Sequence, residues 1–448
     1  MHELSGSLDG AVFEPGEAGF TEELAGFNLA VSHSPDLVVA VASTADVVAA
    51  VLYAARHGMA VRVQATGHGS EEPITDGLVI STKRLNGVTV DANAGVATIG
   101  AGARWGAVVA AAAPFGLAPI TGSSPDVGVV GYLMGGGLGP LARSHGFSSD
   151  YLLGATVVTA AGDVVEATPD SEPELFWALR GGKGGLGVVV GVRVRLVAIP
   201  ELYAGSLTFA AANVEAVLRG WIDWTAAAPD DVTTSVLVAK FPDLPFLPPH
   251  LRGRFLLTLR FAYAGSAREG ERLAAPLRAL APVETDALGT MALTDVAQIH
   301  ADPTDPAPGW GWGALLTPID QDFATVFGDL FNPTASIPFL AIEIRHLGGR
   351  TKVDVDGGSA VGGRDAAFAI HVIGAPDPTL FAEVLPRAAA GFADAIGAWI
   401  APKTTINYAH HFETRDDFAR AWPDATFARL EKVRQTVDPH GVIAYGAG

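Results

Sequence analysis

The chain has 448 residues, 49% of them apolar, with 53 glycines and 29 prolines spread along its length; it is globular and longer than one hydrophobic core usually grows, which predicts two domains. Twenty-nine basic against 48 acidic residues give a formal net charge of −19, which leaves no electrostatic footprint for nucleic acid or an anionic membrane. The lack of cysteine excludes disulfides, thiolate metal sites and cysteine nucleophiles, and Met1-His2-Glu3-Leu4-Ser5-Gly6 has neither the basic nor the apolar region of a leader, so the reading is a soluble, cytoplasmic protein without a membrane span.

Residues 37–42 form a short β-rich run, and 46–56 then place Val47, Val48, Val51 and Leu52 at helical spacing. Residues 60–65 return to strand character. Residues 78–102 read as several short strands broken at Asn86-Gly87 and Ala94-Gly95, and 105–113 as a helix. A hairpin is predicted over 152–167 around Ala161-Gly162-Asp163, then a helix over 173–179 and a strand over 188–197, which closes the first domain near Pro200. Beyond it, strands are expected at 207–210, 233–240, 255–264, 339–346 and 367–373, with helices between them. The helix at 214–224 carries Val217, Leu218, Trp221 and Trp224 on one face. This predicts an α+β second domain, an antiparallel sheet covered by helices. A last helix over 426–437 is stopped by Asp438-Pro439-His440-Gly441.

Three glycine clusters stand out. The first follows a strand: Arg62-Val63-Gln64-Ala65-Thr66-Gly67-His68-Gly69 presents an imidazole between two glycines, which leave it unshielded. The second is Gly131-Tyr132-Leu133-Met134-Gly135-Gly136-Gly137-Leu138-Gly139, and the third Arg180-Gly181-Gly182-Lys183-Gly184-Gly185-Leu186-Gly187. The third contains a literal G-x-G-x-x-G string but follows a helix and opens a strand, the reverse of what a dinucleotide-binding βαβ unit needs. Lys183 is no phosphate-loop lysine either, since Gly184 stands where the magnesium-binding Ser/Thr would be. Glycine lets backbone N–H groups approach an anionic or flat ligand closely, so three clusters together point to a large buried cofactor. His410, His411 and Glu413 lack a zinc spacing, and no metal is expected. Strand alternation puts Glu343 and Arg345 on one face and His346 on the other. Trp310 and Trp312, in a Gly/Pro-rich loop, either line a substrate channel or pack that loop on the core.

Read in order with Asn407-Tyr408, these segments resemble the berberine-bridge-enzyme-like branch of the vanillyl-alcohol-oxidase family, with its p-cresol-methylhydroxylase-type FAD domain. The resemblance covers nearly the whole chain. It implies FAD-binding parts at 1–200 and 403–448 around a substrate domain at 201–402. FAD would contact Arg62, Gln64, Ala65, Thr66, Gly67, His68 and Gly69; Gly122, Ser124, Val127, Gly128, Gly131, Tyr132, Gly135 and Gly136; Gly187 and Val189; and Asn407 and Tyr408. His68 matches the family's flavin-linking histidine, while Ser124 stands where many relatives carry a second, cysteine link, so attachment through His68 alone is implied. Val127 is similar to the oxygen-permissive residue of the family's oxidases. Val130 departs from a frequent glycine and Gly185-Leu186 from a common Asn-Phe pair.

The implied function is an FAD-dependent oxidase that takes a hydride from a small-molecule alcohol, sugar or amine and passes the electrons to O2, giving H2O2, in a monomer or homodimer. Candidate bases are Tyr408, His371, which matches the position of an acidic base in some plant relatives, and Glu343, which could instead orient the base or hold a cationic amine. The alternatives are a flavin-dependent dehydrogenase, an oxidative cyclase, and a catalytically silent carrier of flavin or another metabolite.

Overall fold

The structure, a computed structural model, describes residues 4, 6, 8–243, 245, 249–409, 412 and 414–445; His410, His411 and Glu413 lie outside the described residues. A first sheet consists of β1 (Ala11–Phe13), β2 (Leu37–Ala40), β3 (Val61–Gln64) and β4 (Leu78–Ser81), in the order β1-β2-β4-β3. The helix Thr44–His57 carries the chain from β2 to β3. Ser43 caps it by accepting a hydrogen bond from the Asp46 amide, and Gly58 ends it at φ 65°, a left-handed turn that glycine takes without a Cβ clash. β4 inserts between β2 and β3, parallel to both, with Leu78 opposite Leu37 and Val61. Every residue of β2 and β4 is buried, and Ser81 apart both strands are apolar throughout.

The second sheet is antiparallel: β5 (Val88–Asp91), β6 (Val96–Gly100), β8 (Leu152–Val158), β9 (Val164–Ala167) and β10 (Val188–Arg195), ordered β5-β6-β10-β8-β9. The run expected to reach residue 197 as one strand breaks after Arg195, and β11 (Val197–Ala198) pairs instead with β7 (Leu117–Ala118).

The third and largest sheet has eight strands: β12 (Tyr203–Ala210), β13 (Val232–Lys240), β14 (Phe255–Tyr263), β15 (Thr285–Asp286), β16 (Gly289–Thr290), β17 (Gly311–Leu316), β18 (Phe339–His346) and β19 (Phe368–Gly374). All its pairings are antiparallel. Alternation sends Leu207, Phe209, Val236, Val238, Leu257, Leu259, Phe261, Ile342, Ile344, Ile370 and Val372 into one core with the helices Val214–Thr225, Ala267–Arg278, Gln321–Leu330 and Val384–Ala395. Trp221 is fully buried there and donates its indole N–H to Thr234 Oγ1 at 3.0 Å. β17 was not legible as a strand. Residues expected to form a loop pair with β19, and Trp310 and Trp312 pack against the helix-covered core, Trp312 edge-on to Phe392, which favours the core-packing alternative.

The tail returns to the first half of the chain. Phe418, Trp422, Leu430 and Val433 share a core with Trp177, Leu186 and Val189, and the Ala444 amide bonds Val61 O beside β3. Among the described residues no helix is long and apolar enough to cross a membrane.

Candidate active site

β3 ends at Gln64, which is buried and donates to Leu24 O at 2.7 Å. The chain then turns at Gly67, φ 70°, where a Cβ would stand 2.6 Å from Gly26 Cα; only glycine fits so close an approach. At Gly69 a Cβ would meet nothing within 4 Å, so its lack of a side chain answers no packing demand. His68 is not bare. Its ring stacks on Phe27, centroids 3.9 Å apart at 13°, and its Nδ1 lies 2.9 Å from Thr66 Oγ1, while the buried Nε2 has no protein partner. Burial, with Arg104 nearby, pulls its pKa to about 4, so the imidazole is neutral near pH 7. Arg62 turns instead to Asp76, 2.7 Å away in a half-exposed ion pair, and contributes to this loop only through its strand.

The second glycine segment folds back on itself. A Cβ at Gly122 would lie 2.9 Å from the Tyr132 ring, one at Gly137 2.4 Å from it, and one at Gly139 1.8 Å from Thr121 O. The Tyr132 ring is therefore wedged between Gly122 and Gly137, edge-on to Trp105 at 6.0 Å. Gly128 brings this segment to the His68 loop, its Cβ direction ending 3.3 Å from Thr66 Oγ1, and Val127 O accepts from the Trp105 amide. At Gly135 a Cβ would sit 1.9 Å from Asn407 Oδ1, which is how the C-terminal segment reaches the site. Asn407 donates to Tyr132 O at 3.1 Å and accepts from Lys183 Nζ at 3.2 Å. The third cluster's glycines meet protein: Gly187, φ 89°, lies against Val157, and Gly185, φ 76°, against Tyr445. Val189 is buried within β10.

The large sheet supplies the opposite wall. Across β18, β19 and β17 the register aligns Glu343, His371 and Gly313 in one row, on the face turned away from the helices. A Cβ at Gly313 would stand 2.4 Å from Tyr408 O, so the same row receives the tail. The Tyr408 ring is buried, 6.2 Å from the His371 ring, with the Arg345 guanidinium 5.9 Å from its centroid. Burial pushes the Tyr408 phenol up to about 12, against the opposing pull of Arg345.

Tyr408 and His371 are thus brought together, whereas the Glu343 carboxylate is committed elsewhere. It accepts from Arg260 Nη1, from Arg345 Nε at 2.8 Å and from Ser235 Oγ at 3.1 Å, with His300 Nε2 at 3.4 Å. Burial would raise its pKa, but Arg345 and Arg260 outweigh that and hold it well below the usual carboxylate range. Such a carboxylate is a poor base, which leaves Glu343 the orienting or cation-holding role that was its other expectation. His300 is driven to about 4 by burial and by Arg260, so the cluster of two arginines and one glutamate is net cationic. Arg260, Arg345 and His300 were missed as site residues; only the alternation that placed Arg345 beside Glu343 hinted at them.

The residues fit a large ligand with a polar edge. Gln64 Oε1, His68 Nε2, Thr121 Oγ1 and Ser124 Oγ are buried without protein partners, the first two on the His68 loop and the other two just before Gly128 and the second glycine cluster. The fold and this site define a two-domain flavin-binding protein. A family model for an FAD binding domain matches residues 35–168. The chain is 32% identical to (R)-6-hydroxynicotine oxidase of Paenarthrobacter nicotinovorans over 66% of its length and 64% of that protein's, a little under two thirds of the relative. An uncharacterised FAD-linked oxidoreductase of Bacillus subtilis, YvdP, is 30% identical over 68% of this chain and 67% of its own. The crystal structure of 6-hydroxy-D-nicotine oxidase from Arthrobacter nicotinovorans superposes with a TM-score of 0.85 and 25% identity, covering 99% of this chain and 98% of that one. The chain belongs to the vanillyl-alcohol-oxidase-type family of FAD-linked oxidoreductases.

Proposed function

We propose that the protein is an FAD-dependent oxidase that removes a hydride from a small-molecule amine, alcohol or sugar, with FAD attached through His68 alone and O2 as the acceptor. The observation that carries this reading is that the segment 122–139 packs on the His68 loop at Gly128 and on Asn407 at Gly135, while His68 Nε2 is a buried nitrogen with no protein partner. When bound, FAD supplies the electron sink, accepting the hydride and reducing O2 to H2O2. Because His68 stays neutral, a ring nitrogen keeps the lone pair that bonding to the cofactor requires. Stacking on Phe27 and the contact with Thr66 fix the ring's orientation.

On the facing wall, Tyr408 is the group assigned to take the substrate's O–H or N–H proton. A phenol pushed up to about 12 accepts a proton only when its phenolate is stabilised, and the nearby Arg345 guanidinium favours that form. His371, on the same wall, is the second candidate. The large sheet and the tail bury the Tyr408 ring, while His371 is half-buried. An amine substrate draws support from the relative named for oxidising 6-hydroxynicotine. Val127 beside the Trp105 amide is the residue assigned to oxygen access. The test is to screen amines, secondary alcohols and sugars anaerobically for bleaching of the flavin, then admit air. Bleaching followed by rapid recovery and H2O2 supports the oxidase; bleaching that persists in air assigns a dehydrogenase, and no bleaching with any class leaves the silent carrier.

A further inference from the structure

Lys183 has no local reason to interrupt a glycine-rich loop. Its φ is 63°, a conformation glycine adopts freely and lysine holds only where surrounding contacts fix it. Those contacts are present: its amide donates to Met134 O at 2.8 Å, and its ammonium donates to Gly131 O and Asn407 Oδ1, each at 3.2 Å. Glu71, just beyond His68, adds a favourable charge interaction while burial opposes the charged form. One cation thereby ties the second glycine segment to the C-terminal segment. Three nearby cations are spent on carboxylates, Arg62 on Asp76, Arg104 on Asp126 and Arg345 on Glu343, whereas Arg180 stacks on Phe176. Both hydrogen-bond acceptors of Lys183 are uncharged, so its field is less fully cancelled than theirs.

We propose that Lys183 is the counter-charge for FAD, its ammonium facing an anionic oxygen of the bound cofactor. Two parts of FAD carry such chemistry, the diphosphate and the N1–C2=O edge of the reduced ring, and they answer to different measurements. In a chain with net charge −19, one positioned cation matters more for an anionic cofactor than in a neutral one. This rests on the FAD reading above.

The test uses Lys183→Gly, which removes the charge and leaves the φ 63° turn to the residue that fits it best, so the fold is not put at risk. Lys183→Arg keeps the charge. In a His68→Ala background, where FAD binds reversibly, loss of the lysine is expected to weaken FAD at least tenfold, equal to 1.4 kcal/mol, with a shallower salt dependence, if the diphosphate is the partner. In the holoenzyme, a preference for reduced over oxidised flavin lowered at least tenfold, a midpoint potential about 30 mV more negative for two electrons, assigns the ring instead. Either result, partly restored by Lys183→Arg, supports the proposal. Unchanged FAD affinity in the His68→Ala background together with an unchanged potential in the holoenzyme, both with Lys183→Gly, overturns this assignment alone, whereas a chain that takes up no FAD overturns the functional reading with it.

Discussion

Replacing Glu343 by glutamine deletes the carboxylate that, among the described residues, bonds both Arg260 and Arg345, each of which buries its guanidinium beside it. Side-chain exposure is 6% for both Glu343 and Arg260, so little solvent is available to screen what remains. Breaking a buried pair of this kind costs about 3–5 kcal/mol because the surviving charges stay desolvated. Glutamine preserves shape and one acceptor, which places the expected loss near 3 kcal/mol, a large part of the roughly 5–15 kcal/mol that holds a domain folded. At about 2–4 °C per kcal/mol for a medium-sized domain, melting should fall by about 6–12 °C. The pH dependence has a definite sign. A carboxylate whose folded pKa is depressed contributes stability that is fully present above its unfolded value of 4.5 and is lost as pH falls below that. Glu343→Gln should therefore flatten the acid limb of the melting profile while leaving the neutral pH–rate profile unchanged in shape. An unchanged melting temperature together with loss of an ionisation near neutrality would show that the carboxylate is free to do chemistry and that the closed network is misread.

In acid-denatured wild-type protein the yellow colour should stay with the chain; His68→Ala should bind FAD yet release all of it under acid, and covalent flavin persisting in that variant moves the attachment elsewhere. Tyr408→Phe should slow flavin reduction, measured by anaerobic stopped flow, by about a hundredfold or more, the scale of a lost general base. A drop of less than threefold passes the role to His371. Gly135→Ala pushes a methyl within 1.9 Å of Asn407 Oδ1, so Asn407 must leave Tyr132 and Lys183. Flavin loading, read from the ratio of visible to ultraviolet absorbance, should fall, and full loading would show that this contact is dispensable. In flavin-free protein His68 and His300 titrate at about 4 and His346 at about 3, all below the unfolded 6.5. Their neutral forms stabilise the fold above pH 6.5, and that stability is lost as pH falls from 6.5 toward 4. Denaturant titrations across that range should show it, and a flat response would mean that these imidazoles are solvated.

Local periodicity carried much of the architecture. The apolar runs of β13, β14 and β18 declared their strand character, but not which face would meet the helices, and alternation separated Glu343 and Arg345 from His346, because period two is a property of the chain itself. The glycine at 67 and the cluster at 135–139 were legible as places of close approach for the same reason, that a missing Cβ is visible in the sequence. What glycine approaches is not. Tertiary contacts alone set Phe27 on the His68 ring, drew β17 out of an apparent loop by pairing it with β19, and closed Glu343 within two arginines. The ammonium of Lys183 meets Asn407 across 224 residues, and Arg260 meets Glu343 across 83. Pairings at such separations depend on how three sheets are stacked, and stacking is decided by the summed burial of their faces, which no single segment of the sequence contains.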